Sequence, residues 1–152
     1  MTKVTELAFV NHNNLIDVSG LENLVSLEKL ALYCRHLNDI SLLSKLKKLK
    51  CLEIELNNGS NDTKILSEMV QLESLSLNEI KLHDLYFLEK LTNLKILNLS
   101  AVRHIEDYSM LKRLKNIKII LDGSCLEDYD SRKSFIEAIK RDDLTIDFSD
   151  LF

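Results

Sequence analysis

The chain has 152 residues, enough for a domain with its own core, and its formal net charge of −4 is too mild for a protein built to hold a polyanion. Proline is absent and glycine occurs only three times, which excludes a flexible linker and a glycine-rich phosphate loop. Cys34, Cys51 and Cys125 show no paired spacing, which argues against a disulfide framework or a structural zinc site and predicts reduced thiols in a cytoplasmic setting.

Taken in chain order, the sequence is a leucine ladder that returns every 22 or 23 residues. Its units start at Val4, Leu27, Leu49, Leu72, Leu94 and Ile117, and each places a second apolar residue three positions on: Leu7, Leu30, Leu52, Leu75, Leu97 and Ile120. The first five add a third, at Phe9, Leu32, Ile54, Leu77 and Leu99. The first half of each unit alternates apolar and polar residues, as a strand does. The second half carries apolar residues at spacings of three, which predicts 3₁₀ or short α turns. These sets are Leu15, Val18, Leu21 and Leu24; then Leu37, Ile40, Leu43 and Leu46; then Leu82, Leu85, Leu88 and Leu91; and finally Ile105, Tyr108, Leu111 and Leu114. The third unit loses this period after Ile54: Asn57 to Asp62 is a polar cluster that reads as a loop, with Ser60 and Thr63 where the other units are apolar.

The sixth strand is expected to decay, with Ile119 and Leu121 facing outward and Asp122 where a core leucine belongs. Residues 124–152 read as a terminal cap. A helix over Ser131 to Arg141 places Phe135, Ile136 and Ile139 on one face, with Asp130 or Ser131 capping its start, and Leu144, Ile146 and Phe148 alternate as in a last strand. Residues 1–121 hold 16 Lys/Arg and 15 Asp/Glu, whereas residues 122–152 hold 4 and 9, so the cap carries the negative charge. An acidic cap blunts an exposed strand edge and suits a basic partner.

One such unit cannot bury its own apolar face; stacking joins the leucines into a continuous core. Stacked strands sit about 4.8 Å apart and packed helices roughly 8–10 Å apart, so strands on one side and turns on the other bend the stack with the strands on the concave face. The expected architecture is α/β, a single domain over 1–152 forming a shallow horseshoe. Parallel strands line its concave face, 3₁₀ or helical turns its convex face, and a helix–strand cap closes the C-terminal end.

The pattern resembles the leucine-rich repeat family, in its 22-residue class of internalin-like and phosphatase-regulator-like members. The form L-x-x-L-x-L-x-x-N-x-L followed by D-I-x-x-L-x-x-L is matched by Leu27, Leu30, Leu32, Leu37, Asp39, Ile40, Leu43 and Leu46, and the resemblance spans residues 4–121. The family asparagine is matched only by Asn57; His12, Arg35, Ile80 and Val102 replace it elsewhere. The resemblance implies a protein-binding module without enzymatic activity, and the family binds many unrelated proteins.

Residues that carry chemistry are sparse. The histidines His12, His36, His83 and His104 do not share one repeat position, so no metal site is expected. Cys34 and His36 read as an ordinary thiol beside a turn histidine. Glu53 and Glu55 flank Ile54 on one strand face, but a shallow solvated face lacks the apolar wall that raises the pKa of a catalytic acid. Lys45, Lys47, Lys48 and Lys50 form a basic run without interleaved aromatics, which reads as lysine stems lying over the core and argues against nucleic acid as a partner. No cofactor motif is present, and no apolar stretch of 18 residues predicts a membrane span.

The candidate partner-binding residues are therefore the outward strand positions: Glu6, Lys29, Tyr33, Glu53, Glu55, Ser76, Asn78 and Asn98. Tyr33, bordered by Ala8, Val10 and Ala31, is the expected anchor, and the two glutamates favour a Lys or Arg of the partner. The leading functional expectation is an inhibitor or immunity protein that neutralises a basic toxin or nuclease. The alternative is a regulatory scaffold subunit of a host enzyme such as a phosphatase.

Overall fold

The computed structural model describes residues 3–10, 15–34, 36–37, 39–55, 63–80, 82–100, 102, 105–121, 129–140 and 145–147. The apolar-x-apolar segments form strands β1 (Glu6–Val10), β2 (Lys29–Tyr33), β3 (Cys51–Glu55), β4 (Ser74–Asn78), β5 (Ile96–Asn98) and β6 (Lys118–Ile120); β7 (Thr145–Asp147) comes from the cap. They make one parallel sheet in chain order, each strand beside the last. Two side-chain columns run inward through this sheet. The first is Leu7, Leu30, Leu52, Leu75, Leu97 and Ile119, and its members are direct register partners. The second begins Phe9, Leu32, Ile54 and Leu77. From Leu32 onward the second column is wholly buried. Each leucine so placed contributes about 1.5–3 kcal/mol relative to an exposed one, which is why the ladder dominates the sequence.

The three-residue spacing becomes 3₁₀ helix at Leu21–Asn23, Ser41–Lys45, Tyr86–Lys90 and Ser109–Arg113. In a 3₁₀ turn residues three apart eclipse one another, so Leu85, Leu88 and Leu91 all point into the core. Ahead of each turn an aspartate accepts the backbone N–H two residues on: Asp39 from Ser41 at 2.7 Å, Asp84 from Tyr86 at 2.9 Å and Asp107 from Ser109 at 2.7 Å, with Asp17 and Ser19 repeating the motif. This local bond satisfies a donor that the short helix leaves open. The third unit differs: its turn is the α-helix α1 (Thr63–Ser67), and Leu66 and Met69 restore the buried face. The polar cluster Asn57 to Asp62 lies outside the described residues.

Where the family places asparagine, Ile80 and Val102 are buried and extend the core, and the Val102 N–H donates to the Leu99 carbonyl at 3.0 Å. Asn57, His12 and Arg35 lie outside the described residues. Side-chain amides act instead in the turns before the strands. Gln71 Nε2 donates to the Leu46 carbonyl at 2.9 Å, and Asn93 Nδ2 donates to the Val70 carbonyl at 2.9 Å, tying each unit to the one before.

The sixth strand corrects the sequence reading. Leu97 pairs with Ile119 and not with Ile120, so Ile119 and Leu121 are fully buried, while Lys118 and Ile120 take the outward side. Leu121, and not Asp122, stands at the third core position. The slip originates in the preceding turn. Leu114 leaves its 3₁₀ helix extended, with ψ 140°, where Leu24, Leu46 and Leu91 leave with ψ between 58° and 75°. Asn116 then adopts φ +54°, a left-handed conformation that asparagine tolerates. Because strand side chains alternate, one residue removed from the turn reverses every facing.

The cap helix α2 runs over Tyr129–Ala138, two residues ahead of the expected start. It packs on Ser109–Arg113 through Phe135 and Ala138, with Ile139 partly covered. The Phe135 ring meets Tyr108 edge-on, with centroids 5.3 Å apart and planes at 69°, and Ser134 Oγ accepts the Tyr108 N–H at 3.0 Å. Ile136, expected on the packed face, is 52% exposed; Ala138 takes that place. β7 then pairs with β6 in parallel register. The expected capping side chains of Asp130 and Ser131, and the side chains of Leu144, Ile146 and Phe148, lie outside the described residues.

Candidate functional site: the outward face of the sheet

Register alone sorts the outward side chains into columns. One column is Glu6, Lys29, Cys51, Ser74, Ile96 and Lys118. The next is Ala8, Ala31, Glu53, Ser76, Asn98 and Ile120. The third is Val10, Tyr33, Glu55 and Asn78. All eight residues singled out from the sequence stand on this face. Glu6 and Lys29 share the first column, Glu53, Ser76 and Asn98 are successive members of the second, and Tyr33, Glu55 and Asn78 are successive members of the third. The first two columns bound an open trough of about 620 Å³. Cys51, Ser74, Ile96 and Ile120 also line it. The first three are legible from strand alternation alone, but Ile120 is not, because its facing depends on the slip at Asn116.

The electrostatics of the face are specific. Lys29 Nζ lies 2.7 Å from Glu6 Oε1, and this hydrogen bond, followed by the glutamate's charge, holds the ammonium above the usual lysine range. Tyr33 on β2 pairs with Glu55 on β3, which places Glu53 diagonally from it. Burial first, then its hydrogen bond to the Glu53 carboxylate, then the negative charges of Glu53 and Glu55 push its hydroxyl up to about 12. The phenol therefore stays protonated and donates to Glu53. Asn98 Oδ1 accepts the Ser100 N–H at 2.8 Å, which turns its amide toward the strand end. Ser76 is only 9% exposed, and its Oγ has no hydrogen-bond partner among the described residues.

Other candidates separate. Cys34 is fully buried, and burial followed by the charge of Glu55 raises its thiol pKa, so it is poorly suited to act as a nucleophile. His36 is exposed. His83 Nδ1 lies 3.5 Å from Glu106 Oε1 on the outer surface, and His12 and His104 lie outside the described residues. No His, Cys, Asp and Glu among the described residues gather into a group that could hold a metal ion. Lys45, Lys47, Lys48 and Lys50 are exposed, and Lys50 faces Glu73 at 3.7 Å, which Lys95 also grips at 2.6 Å. None of the described helices is long and apolar enough to cross a membrane.

No protein-family model matches the sequence, and no curated protein matches it either. Solved structures do. The chain is similar to internalin C2 of Listeria monocytogenes, with a TM-score of 0.69 and 25% identity over 97% of this chain. Together with the parallel sheet in chain order and the 3₁₀ turns, this decides the fold.

The chain is a leucine-rich repeat solenoid.

It spans 62% of the length of that internalin. A second similar structure, internalin F of the same organism, is 23% identical over 95% of this chain, with a TM-score of 0.49. The asparagine-poor turns and the one-residue slip before β6 are variations within the leucine-rich repeat architecture.

Proposed function

We propose that this leucine-rich repeat chain is a non-enzymatic protein-binding module that docks its partner on the outward face of the sheet. The single observation that carries this reading is the ordered set of columns: Ala8, Ala31 and Tyr33 give a small apolar area with an aromatic anchor, and Glu53 and Glu55 stand directly beside it. Tyrosine held by a carboxylate loses little entropy on being covered, which is the character of an interface hot spot. The face is an open trough, the geometry of docking and not of a desolvated catalytic pocket.

The finer reading is an inhibitor or immunity protein that covers a basic toxin or nuclease in the cytoplasm. It is supported by the two carboxylates on the face and by the acidic excess in residues 122–152. The test is affinity capture from the native host followed by an activity assay on the complex. Recovery of a basic enzyme whose activity is abolished in the complex, with association slowing as salt rises, agrees with the proposal. An enzyme that stays active when bound identifies a regulatory scaffold, as for a phosphatase subunit. Binding that is indifferent to Tyr33→Ala and Glu55→Lys refutes the docking face itself.

A further inference from the structure

We propose that the part of the trough over Glu53 and Ser76 is a socket for one arginine side chain of the protein partner, an inference that rests on the outward face being the docking surface. The two residues are register partners on β3 and β4, about 4.8 Å apart at the backbone. On the other side of Glu53 stand Ala31 and then Ala8, whose small side chains leave the trough open next to the carboxylate. Asn98 forms the opposite wall, its amide oxygen occupied by the Ser100 N–H.

The chemistry of this part of the trough is that of a waiting acceptor set. A carboxylate offers about four lone-pair sites, so the neighbouring Tyr33 hydroxyl leaves Glu53 able to accept more. Ser76 lines the trough, while its hydroxyl oxygen is buried beneath the surface and no described residue satisfies it; a buried hydroxyl left unmatched is a feature that calls for a partner. Rotation about the Ser76 Cα–Cβ bond turns this oxygen toward the trough without moving the strand. A guanidinium has five N–H donors in one plane and no acceptor, so it can meet the carboxylate and the serine oxygen together. A lysine ammonium is a compact point charge that fits a carboxylate but matches a two-oxygen edge less well. The trough's own cation, Lys29, is engaged by Glu6 and does not compete.

The test uses the full ¹⁵N-labelled chain titrated with the peptide acetyl-Ala-Arg-Ala-amide, with lysine and citrulline versions in parallel. The arginine peptide is expected to shift the backbone amides of Glu53 and Ser76 at concentrations at least tenfold below those the citrulline peptide needs, and below those the lysine peptide needs. Glu53→Gln abolishes the response and Ser76→Ala weakens it severalfold, with thermal melts confirming that both variants fold. Equal responses to arginine and citrulline, a tighter lysine peptide, or shifts confined to the basic run Lys45 to Lys50 overturn the socket; this comparison uses the natural chain and depends on no variant. A captured partner that needs Tyr33 while the arginine peptide gives no response discards the socket and keeps the docking face. An arginine response at Glu53 and Ser76 beside a partner indifferent to Tyr33→Ala keeps the socket and discards the docking face.

Discussion

The two ends of the solenoid are made of the same kinds of residue and bury them to different degrees. In the first unit Leu7, Phe9, Leu15, Leu21 and Leu24 are only partly covered, and Val10 on the edge strand is 53% exposed. At the far end Ile119, Leu121, Tyr108 and Leu111 are fully buried, because β7 extends the sheet and α2 closes over the last 3₁₀ turn. A repeat's leucine is thus worth what its neighbours make of it, and the stabilisation of each unit comes from the interface with the next.

The strongest way to break this comparison is at the slipped strand. Ile119→Lys places a charge in the fully buried column, and unfolding of the C-terminal units, followed by circular dichroism, is expected. Ile120→Lys, one residue on, points outward and is expected to leave the melting curve in place. The reverse result would restore the 23-residue register expected from the sequence. Next in size, Phe135→Ala removes the edge-on contact with Tyr108 and is expected to cost about 3–5 kcal/mol in urea unfolding. Phe9→Ala, at the open end, is expected to cost less than half as much; equal costs would mean that the ends are not different.

The inner ladder was legible because two periods coincide: alternation by two within a strand and return after 22 or 23 residues. The leucines that close the 3₁₀ turns followed from spacing by three, whereas Phe87 and Met110, each one residue ahead of such a leucine, are buried outside that spacing. The sixth strand was not legible, because Ile117, Ile119, Ile120 and Leu121 satisfy either facing. The choice is made by a left-handed Asn116, which carries no signal in an apolar pattern. Ile136 and Ala138 differ in the same way: helical phase against the body of the protein decides which is covered, and hydrophobicity alone favours the wrong one. The outward columns were readable as positions, but the Tyr33–Glu53 hydrogen bond and the unmatched Ser76 hydroxyl depend on side-chain packing across strands.

A smaller effect concerns the aspartates that begin each turn. Hydrogen bonds hold Asp17, Asp39 and Asp107 below the usual carboxylate range; for Asp107 the Ser109 N–H is the largest cause, with the Ser109 and Tyr86 hydroxyls adding to it. A folded pKa below the unfolded value means stability that is present above the unfolded pKa, near 4, and is lost as pH falls through the folded one. Acid titration of the melting temperature is expected to show this decline, and Asp107→Ala to remove part of it. Asp107→Ala is expected to cost about 1 kcal/mol, in the range of a lost helix cap, and more than Asp17→Ala, because Tyr86 Oη at 3.1 Å also depends on Asp107. The smallest signal is spectroscopic. With its folded pKa raised, Tyr33 adds stability below the unfolded value near 10 that is lost as pH rises toward 12. Ultraviolet titration is expected to show one tyrosine ionising near 12, moving downward in Glu53→Gln.

The most direct test of the account is the affinity of the captured partner for two single variants of the full chain, measured by calorimetry. Tyr33→Ala, in the third outward column, is expected to weaken binding at least tenfold. Lys47→Ala, in an exposed turn off that face, is expected to leave it unchanged. Loss of affinity in Lys47→Ala with full retention in Tyr33→Ala would contradict the claim that this solenoid docks its partner on its sheet.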